Sequence, residues 1–378
     1  MNLKELKRES PLTSKLFSKA SSIRLPLSGT FELSPICNFT CKMCYVRKTS
    51  EEVLQHDRTM LTCEQWIQIA EDAKRMGMLY LLLTGGEPFL WPDFWRLYEH
   101  LSQMGFVLSI NTNGSMINEE VVEKLKKDVP SRINITLYGA SDETYERLCG
   151  IKGAFKKVDR AITLLRSAGI PVKLNCSLTP YNADDIGAMI QYAEERELIL
   201  VVNTYMFPPI RRDEKAIGLN DRFTPKEATH YNLLRYKLQY GGDNYHQFLS
   251  SVRQGAIPPP GLDEACVDPI DGKVRCRAGK AAFWITWDGY MTPCGMMTKP
   301  AIDIREGSFE ETWHHIVAAT DSLKLSSVCE KCKNQELCHS CAAMALAETG
   351  DTSGIPSYLC KTVEELITIA EKDVVYKI

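Results

Sequence analysis

From residue 30 to 206 short β-prone runs alternate with amphipathic helical stretches, a rhythm that commits the chain to a parallel sheet covered by helices. Strands are expected at Thr30–Ser34, Leu79–Thr84, Phe106–Asn111, Arg132–Tyr138, Val172–Leu178 and Leu198–Met206. The first helix shows the basis for these assignments: Thr62 and Gln65 form a capping box, Trp66, Ala70, Ala73 and Met76 recur on one face, and Gly77 ends it. The next begins near Pro92, presents Phe94, Leu97, Tyr98, Leu101 and Met104, and stops at Gly105. Further helices are expected near 118–127, 154–168 and 184–196. Six βα units are fewer than the eight of a closed barrel, so the expected class is α/β, a partial (β/α)6 parallel barrel with ligands at its strand C-termini. Residues 207–265 break the rhythm with Pro208-Pro209, Gly241-Gly242 and Pro258-Pro259-Pro260-Gly261. The expected division is therefore 1–29 as an N-terminal extension, 30–206 as the barrel, 207–265 as a bridge and 266–378 as a cysteine-rich domain.

Cysteine sets the chemistry. There are 14 in 378 residues, eight of them after residue 265. The N-terminus has basic residues but neither a continuous apolar run nor a cleavage pattern, and no stretch approaches the ~18 apolar residues of a membrane span. The location is accordingly read as cytoplasm, with no membrane partner. A reducing compartment disfavours a disulfide framework and leaves metal as the better account of the cysteines. A net charge of -3 without long Lys/Arg runs argues against nucleic acid as a partner.

Cys37, Cys41 and Cys44 stand in SPICNFTCKMCY, just after the first expected strand. An iron–sulfur cube takes four cysteines, so three with no local fourth leave one iron open to a substrate or cofactor. Three cysteines and a distant His would alternatively hold zinc. The C-x3-C-x2-C spacing, with Gly85-Gly86-Glu87-Pro88 following the second strand, resembles the radical S-adenosylmethionine (SAM) superfamily. The resemblance implies that the open iron chelates the amino and carboxylate groups of SAM and that Gly85, Gly86, Glu87 and Pro88 contact its amino group. Two glycines would allow close backbone approach, and exposed carbonyls or Glu87 would accept from the ammonium. Asn111-Thr112-Asn113-Gly114 and Thr136 resemble family segments that line the SAM pocket, which makes Asn111, Asn113 and Thr136 SAM-contact candidates. Met43 stands where relatives place an aromatic against adenine, and a thioether can pack similarly.

The C-terminal cysteines read Cys276-x12-Gly289-x4-Cys294, then Cys329-x2-Cys332-x5-Cys338-x2-Cys341, then Cys360. This resembles the SPASM domain of radical SAM enzymes, with two residues rather than three in the last internal gap. The resemblance assigns Cys266, Cys276, Cys294 and Cys341 to one auxiliary cluster and Cys329, Cys332, Cys338 and Cys360 to a second. From the residues alone a zinc ribbon at Cys329–Cys341 stays open, although its five-residue spacer is shorter than zinc modules use. Cys63, Cys149 and Cys176 fit neither pattern and read as small buried hydrophobes.

Together these resemblances imply three 4Fe–4S clusters, one of them SAM-binding, in an oxidoreductase. Such an enzyme cleaves SAM to methionine and a 5'-deoxyadenosyl radical, removes a substrate hydrogen and passes an electron to its auxiliary clusters. The commonest substrate of such enzymes is a ribosomally made peptide that receives a cross-link or related modification. The alternatives are anaerobic sulfatase maturation, disfavoured because Gly295 follows Cys294 where that family has an Asp, and dehydrogenation of a small molecule. A non-catalytic electron carrier would leave the SAM motifs without a purpose. A flavodoxin- or ferredoxin-type electron donor is the expected partner. The 36 residues before Cys37 are too few for a leader-binding domain of ~80 residues, so a separate leader-binding protein or the bridge would serve. Asp268, Asp288, His314, His315 and His339 read as surface or core residues, and no catalytic acid or base stands out.

Overall fold

Phe31, Leu81, Leu83, Leu108, Ile110, Ile133, Ile135, Leu174 and Cys176 are all buried, and their period of two places one face of each strand beneath helices. In the computed structural model, which describes residues 10–219, 221–255 and 276–372, these side chains belong to six parallel strands. They are β1 (Ser28–Glu32), β2 (Tyr80–Thr84), β3 (Val107–Thr112), β4 (Arg132–Thr136), β5 (Val172–Ser177) and β6 (Leu200–Asn203). All six expected strands are present within three residues of their expected ends. They lie in the order β6-β5-β4-β3-β2-β1, and the register Asn111↔Asn134↔Lys173 runs across three of them on the concave face. The helix Cys63–Arg75 carries the expected capping box, with Thr62 accepting from the Gln65 N–H and Gln65 reaching back to the Thr62 N–H. The sequence rhythm does not announce the helix Asp142–Cys149, which Ser141 caps and Gly150 ends in a left-handed conformation. Among the described residues no helix is long and apolar enough to cross a membrane.

The sheet does not stop at β1. Beyond the barrel, Phe283 and Trp284 lie in β7 (Ala282–Ile285), which pairs in parallel with β1 from Ser28↔Ala282 to Phe31↔Ile285. The antiparallel strands β8 (Tyr290–Thr292) and β9 (Ile302–Asp303) extend it to nine strands. The cysteine-rich segment is thus joined to the barrel by main-chain hydrogen bonds and not merely appended to it. The physical reason is that β1 would otherwise present a row of unpaired N–H and C=O groups. Phe283 packs edge-on against Phe309 and Trp313 of the helix Phe309–Ser322, whose Trp313 indole donates to the Arg24 carbonyl at 2.8 Å.

A charged contact locks the same junction. Glu32, the last residue of β1, is wholly buried. Its two carboxylate oxygens accept from Arg211 at 2.9 and 2.7 Å, and the Trp284 indole donates to it at 3.0 Å. Arg211 also donates to the Gly295 carbonyl at 2.9 Å, and Gly295 lies so close under the Trp284 ring that a Cβ would sit 2.7 Å from it. β1, the segment around Arg211 and β7 therefore meet at one carboxylate. Breaking a buried pair from one side is costly because it strands the other charge. Arg211→Ala is expected to lose about 3–5 kcal/mol of unfolding free energy, with most of it recovered in the Glu32→Gln/Arg211→Met double variant. Urea denaturation of the apo-proteins measures both.

Candidate metal centre

The loop that follows β1 is held against the end of β2 by its backbone. The Leu33 N–H donates to the Thr84 carbonyl at 2.9 Å, the Gly86 N–H to Ser34 at 2.7 Å and the Glu87 N–H to Ile36 at 2.9 Å. A Cβ at Gly85 would meet the Ser34 carbonyl at 2.5 Å, and one at Gly86 the Ile36 carbonyl at 2.4 Å. The two glycines thus allow the chain to approach itself, where the sequence suggested an approach to a ligand. Glu87 is likewise engaged within the chain. Its buried carboxylate accepts from the Thr112 hydroxyl at 2.8 and 2.9 Å, from the Asn113 N–H at 2.8 Å and from the Phe89 N–H at 3.3 Å. The side chain is a strut from β2 to the end of β3, and Pro88 behind it is buried at the start of the turn Pro88–Leu90. Burial pushes the Glu87 carboxyl up to about 7.

Asn113 also faces the loop. Its amide donates to the Asn38 side chain at 2.9 Å and toward the Cys37 sulfur at 3.7 Å, while its oxygen accepts from the Ser115 N–H and hydroxyl at 2.8 and 2.6 Å. Asn113 therefore orders the cysteine loop through its side chain. Asn111 lies on the concave face and accepts from Asn134 at 2.8 Å, and the Thr136 hydroxyl donates to the Thr112 carbonyl at 3.2 Å. Asn134, which the sequence did not single out, has a buried Oδ1 with no hydrogen-bond partner. Met43 packs into the apolar core of the barrel.

The three loop cysteines are electrostatic neighbours, since Cys37 feels both Cys41 and Cys44. Their sulfurs accept hydrogen bonds: Cys37 from the Phe39 N–H at 3.4 Å, and Cys44 from the Arg47 N–H at 3.3 Å. Burial raises the Cys37 thiol to about 12 and raises Cys44 as well. Cys41 is raised chiefly by its hydrogen bond with Cys149, then by burial. Buried thiols of this kind become thiolates when a metal replaces the proton, and the N–H donors around them suit the sulfurs of an iron–sulfur cluster. Tyr45 beyond the loop senses Cys44, Arg211 and Cys294. The Arg211 guanidinium lies 5.6 Å from its ring centroid.

The remaining cysteines fall into two groups. Cys276, Cys294 and Cys341 form one: after the larger effect of burial, Cys294 is raised by Cys276, and Cys341 by both Cys294 and Cys276. Cys329, Cys332 and Cys338 all bear on Cys360 in the same way, again after burial. Cys266 and Asp268 lie outside the described residues. Cys63, Cys149 and Cys176 are buried as expected, and the Cys149 carbonyl accepts from the Thr40 N–H and hydroxyl beside Cys41. His314 and His315 are exposed.

A parallel partial barrel with a cysteine triple beyond its first strand, joined to a cysteine-rich hairpin, defines a class of iron–sulfur enzyme. Residues 31–193 match the radical SAM superfamily and residues 276–342 match the SPASM iron–sulfur cluster-binding domain. A probable GTP 3',8-cyclase of Saccharolobus islandicus is 32% identical over 274 residues, covering 72% of this chain and 83% of that protein. The AdoMet-dependent heme synthase of Methanosarcina barkeri is 26% identical over 333 residues, covering 85% and 92%. The sporulation killing factor maturation protein SkfB of Bacillus subtilis is 26% identical over 309 residues, covering 82% and 69%. The solved structure of native anSMEcpe with bound AdoMet shares the fold at a TM-score of 0.68 and 18% identity, covering 92% of this chain and 98% of that one. The chain belongs to the radical SAM superfamily and carries a SPASM domain.

The raised Glu87 carboxyl carries a pH signature. It binds a proton more tightly folded than unfolded, so its contribution to stability is complete below pH ~4.5 and is lost as pH rises through about 7. A shift of this size corresponds to roughly 3 kcal/mol. Denaturation of the apo-protein at pH 5 and pH 8 is expected to show a loss of that order, and Glu87→Gln is expected to flatten it.

Proposed function

We propose that Cys37, Cys41 and Cys44 hold a 4Fe–4S cluster whose open iron binds SAM, and that the enzyme oxidises a peptide substrate. Such a cluster, once reduced, supplies one electron to SAM and so a 5'-deoxyadenosyl radical that removes a substrate hydrogen. The observation that carries this reading is the cysteine loop itself, three cysteines just beyond the C-terminal end of β1 with N–H donors on the Cys37 and Cys44 sulfurs, braced by Gly85, Gly86 and Asn113. In this reading Asn111, Asn134 and Thr136 line the concave face beside SAM, where the unpartnered Asn134 oxygen accepts from a bound ligand. The ammonium of SAM is then left to backbone carbonyls of the 85–88 segment, since Glu87 is engaged with Thr112 and Asn113.

Two auxiliary clusters complete a set of three. One is held by Cys276, Cys294 and Cys341 together with Cys266, the other by Cys329, Cys332, Cys338 and Cys360. Held there, such clusters would supply electron-accepting sites for the oxidation of the substrate, and a flavodoxin- or ferredoxin-type protein would be the electron donor. A separate leader-binding protein would present the peptide. The division into segments at residues 30, 207 and 266 and a cytoplasmic location belong to the same reading.

A peptide substrate is supported by the similarity to SkfB, a maturation protein. The heme synthase match favours a second reading, a tetrapyrrole substrate, because it spans 92% of that protein against 69% of SkfB. Anaerobically reconstituted protein is expected to bind about twelve irons, falling to about eight in the Cys37/Cys41/Cys44→Ala variant, with 5'-deoxyadenosine release lost only in the variant. Deuterium entering deoxyadenosine from a labelled peptide supports the first substrate, and from a labelled tetrapyrrole the second. Zinc without iron, or iron-loaded wild type that releases no deoxyadenosine, overturns both.

A further inference from the structure

Neighbouring barrel strands set a row of side-chain amides on their concave face. Ile110, Ile133, Leu174 and Val202 are buried beneath the helices, so Asn111, Asn134, Asn175 and Asn203, each next in sequence to one of them, turn to the other side. One amide thus stands on each of β3, β4, β5 and β6. Asn111 pairs with Asn134 in register, Asn175 lies beside Thr136, and Asn203 lies beside Ser177. The row therefore climbs toward the strand ends from which the cysteine loop departs.

Within this row the bonding is incomplete. The Asn134 amide donates to the Asn111 oxygen at 2.8 Å, which occupies one donor and one acceptor. The Asn134 oxygen keeps no partner, although the residue is only 7% exposed. Lys173, opposite Asn134 on β5, does not reach it. A buried amide oxygen without a donor is costly, and native chains leave few of them. Asn134 is also roughly 7 Å deeper along β4 than Thr136, on the side away from the cysteine loop.

The open oxygen selects what can be bound, because it needs an N–H or O–H. A main-chain amide supplies one. In an extended chain the N–H and C=O of one residue point to the same side, so a single residue can donate to Asn134 and accept from the Asn111 amide on the neighbouring strand. The rim of a tetrapyrrole instead carries ionised carboxylates, which only accept, and its ring N–H groups point inward.

We propose that Asn134 is a specificity-determining residue, its oxygen accepting a main-chain N–H of a peptide laid across the concave face. This inference rests on the reading of that face as the place where SAM and substrate meet. It separates the two substrates named above, admitting the peptide and turning away the tetrapyrrole.

The test uses full-length protein reconstituted anaerobically with iron and sulfide and given SAM and dithionite. The deuterated probes are short peptides of randomised sequence, the same sequences with esters in place of amides, and a porphyrin tetracarboxylate. Esters keep the carbonyls and remove the N–H donors. Deuterium in the released 5'-deoxyadenosine reports which probe met the radical. Wild type is expected to take deuterium from the amide pool, about tenfold less from the ester pool and none from the porphyrin. Asn134→Leu is expected to lose about tenfold on the amide pool and to stop preferring amides to esters, with iron content and SAM affinity unchanged. Asn134→Asp, which keeps an acceptor, is expected to retain the preference. Equal transfer from the amide and ester pools in wild type, deuterium from the porphyrin, deoxyadenosine without deuterium from any probe, or undiminished transfer in N134L overturns the inference. Weaker SAM binding by iron-replete N134L also overturns it, by making Asn134 a contact of SAM. Should N134L lose its iron, the wild-type comparison of amides with esters still decides. A wild-type protein that releases no deoxyadenosine instead defeats the cluster assignment itself.

Discussion

The buried carboxylate of Glu32 is the point on which the architecture turns. It ends the first barrel strand, and its partners come from beyond β6, at Arg211, and from β7, at Trp284. Desolvating a carboxylate and a guanidinium is expensive, and only a complete set of hydrogen bonds makes the burial tolerable. Satisfying that set requires the three regions of the chain to arrive at one place in one register. The same guanidinium reaches the Gly295 carbonyl, next to Cys294, and lies beside Tyr45, next to Cys44. This ion pair thus ties the two sulfur-rich regions together, beside the β1–β7 pairing and the apolar core that Phe31, Phe39 and Met43 share with Phe283, Ile285 and Met291.

Around the first of those regions the protein builds inward from several sides. Two glycines let the 85–87 backbone lie on residues 34–36, Asn113 reaches the loop from the end of β3, and the helix end at Leu148 and Cys149 supports it from beyond β4. None of these contacts is strong alone. Together they hold three thiols in an environment that burial has made hostile to their charged form, so that deprotonation is coupled to metal binding.

Much of this was legible in the sequence, and the exceptions share a cause. The six strands, the Thr62–Gln65 capping box and the two cysteine groups are written in local spacing, and local spacing is what a sequence exposes. The direction in which Glu87 turns was not, because a carboxylate after two glycines looks the same whether it faces a ligand or a neighbouring strand. The Glu32–Arg211 pair joins residues far apart in the chain, and nothing near either one marks it. Cys149 was read as a small buried hydrophobe on composition and position. It is buried, yet its helix was invisible to the rhythm, and the loop it supports lies more than a hundred residues away.

The parallel pairing of β1 with β7 has a consequence for how the chain comes into being. Ser28 meets Ala282 only after about 250 residues have been made. While it emerges from the ribosome, the barrel carries an incomplete edge beside its first strand, and long-range parallel pairing is slow to form. A fragment ending before β7 would keep that edge permanently, with the Glu32 carboxylate deprived of Trp284, and would be prone to stick to other chains. The cysteine-rich C-terminal third is in this sense also the clasp that makes the nascent barrel safe.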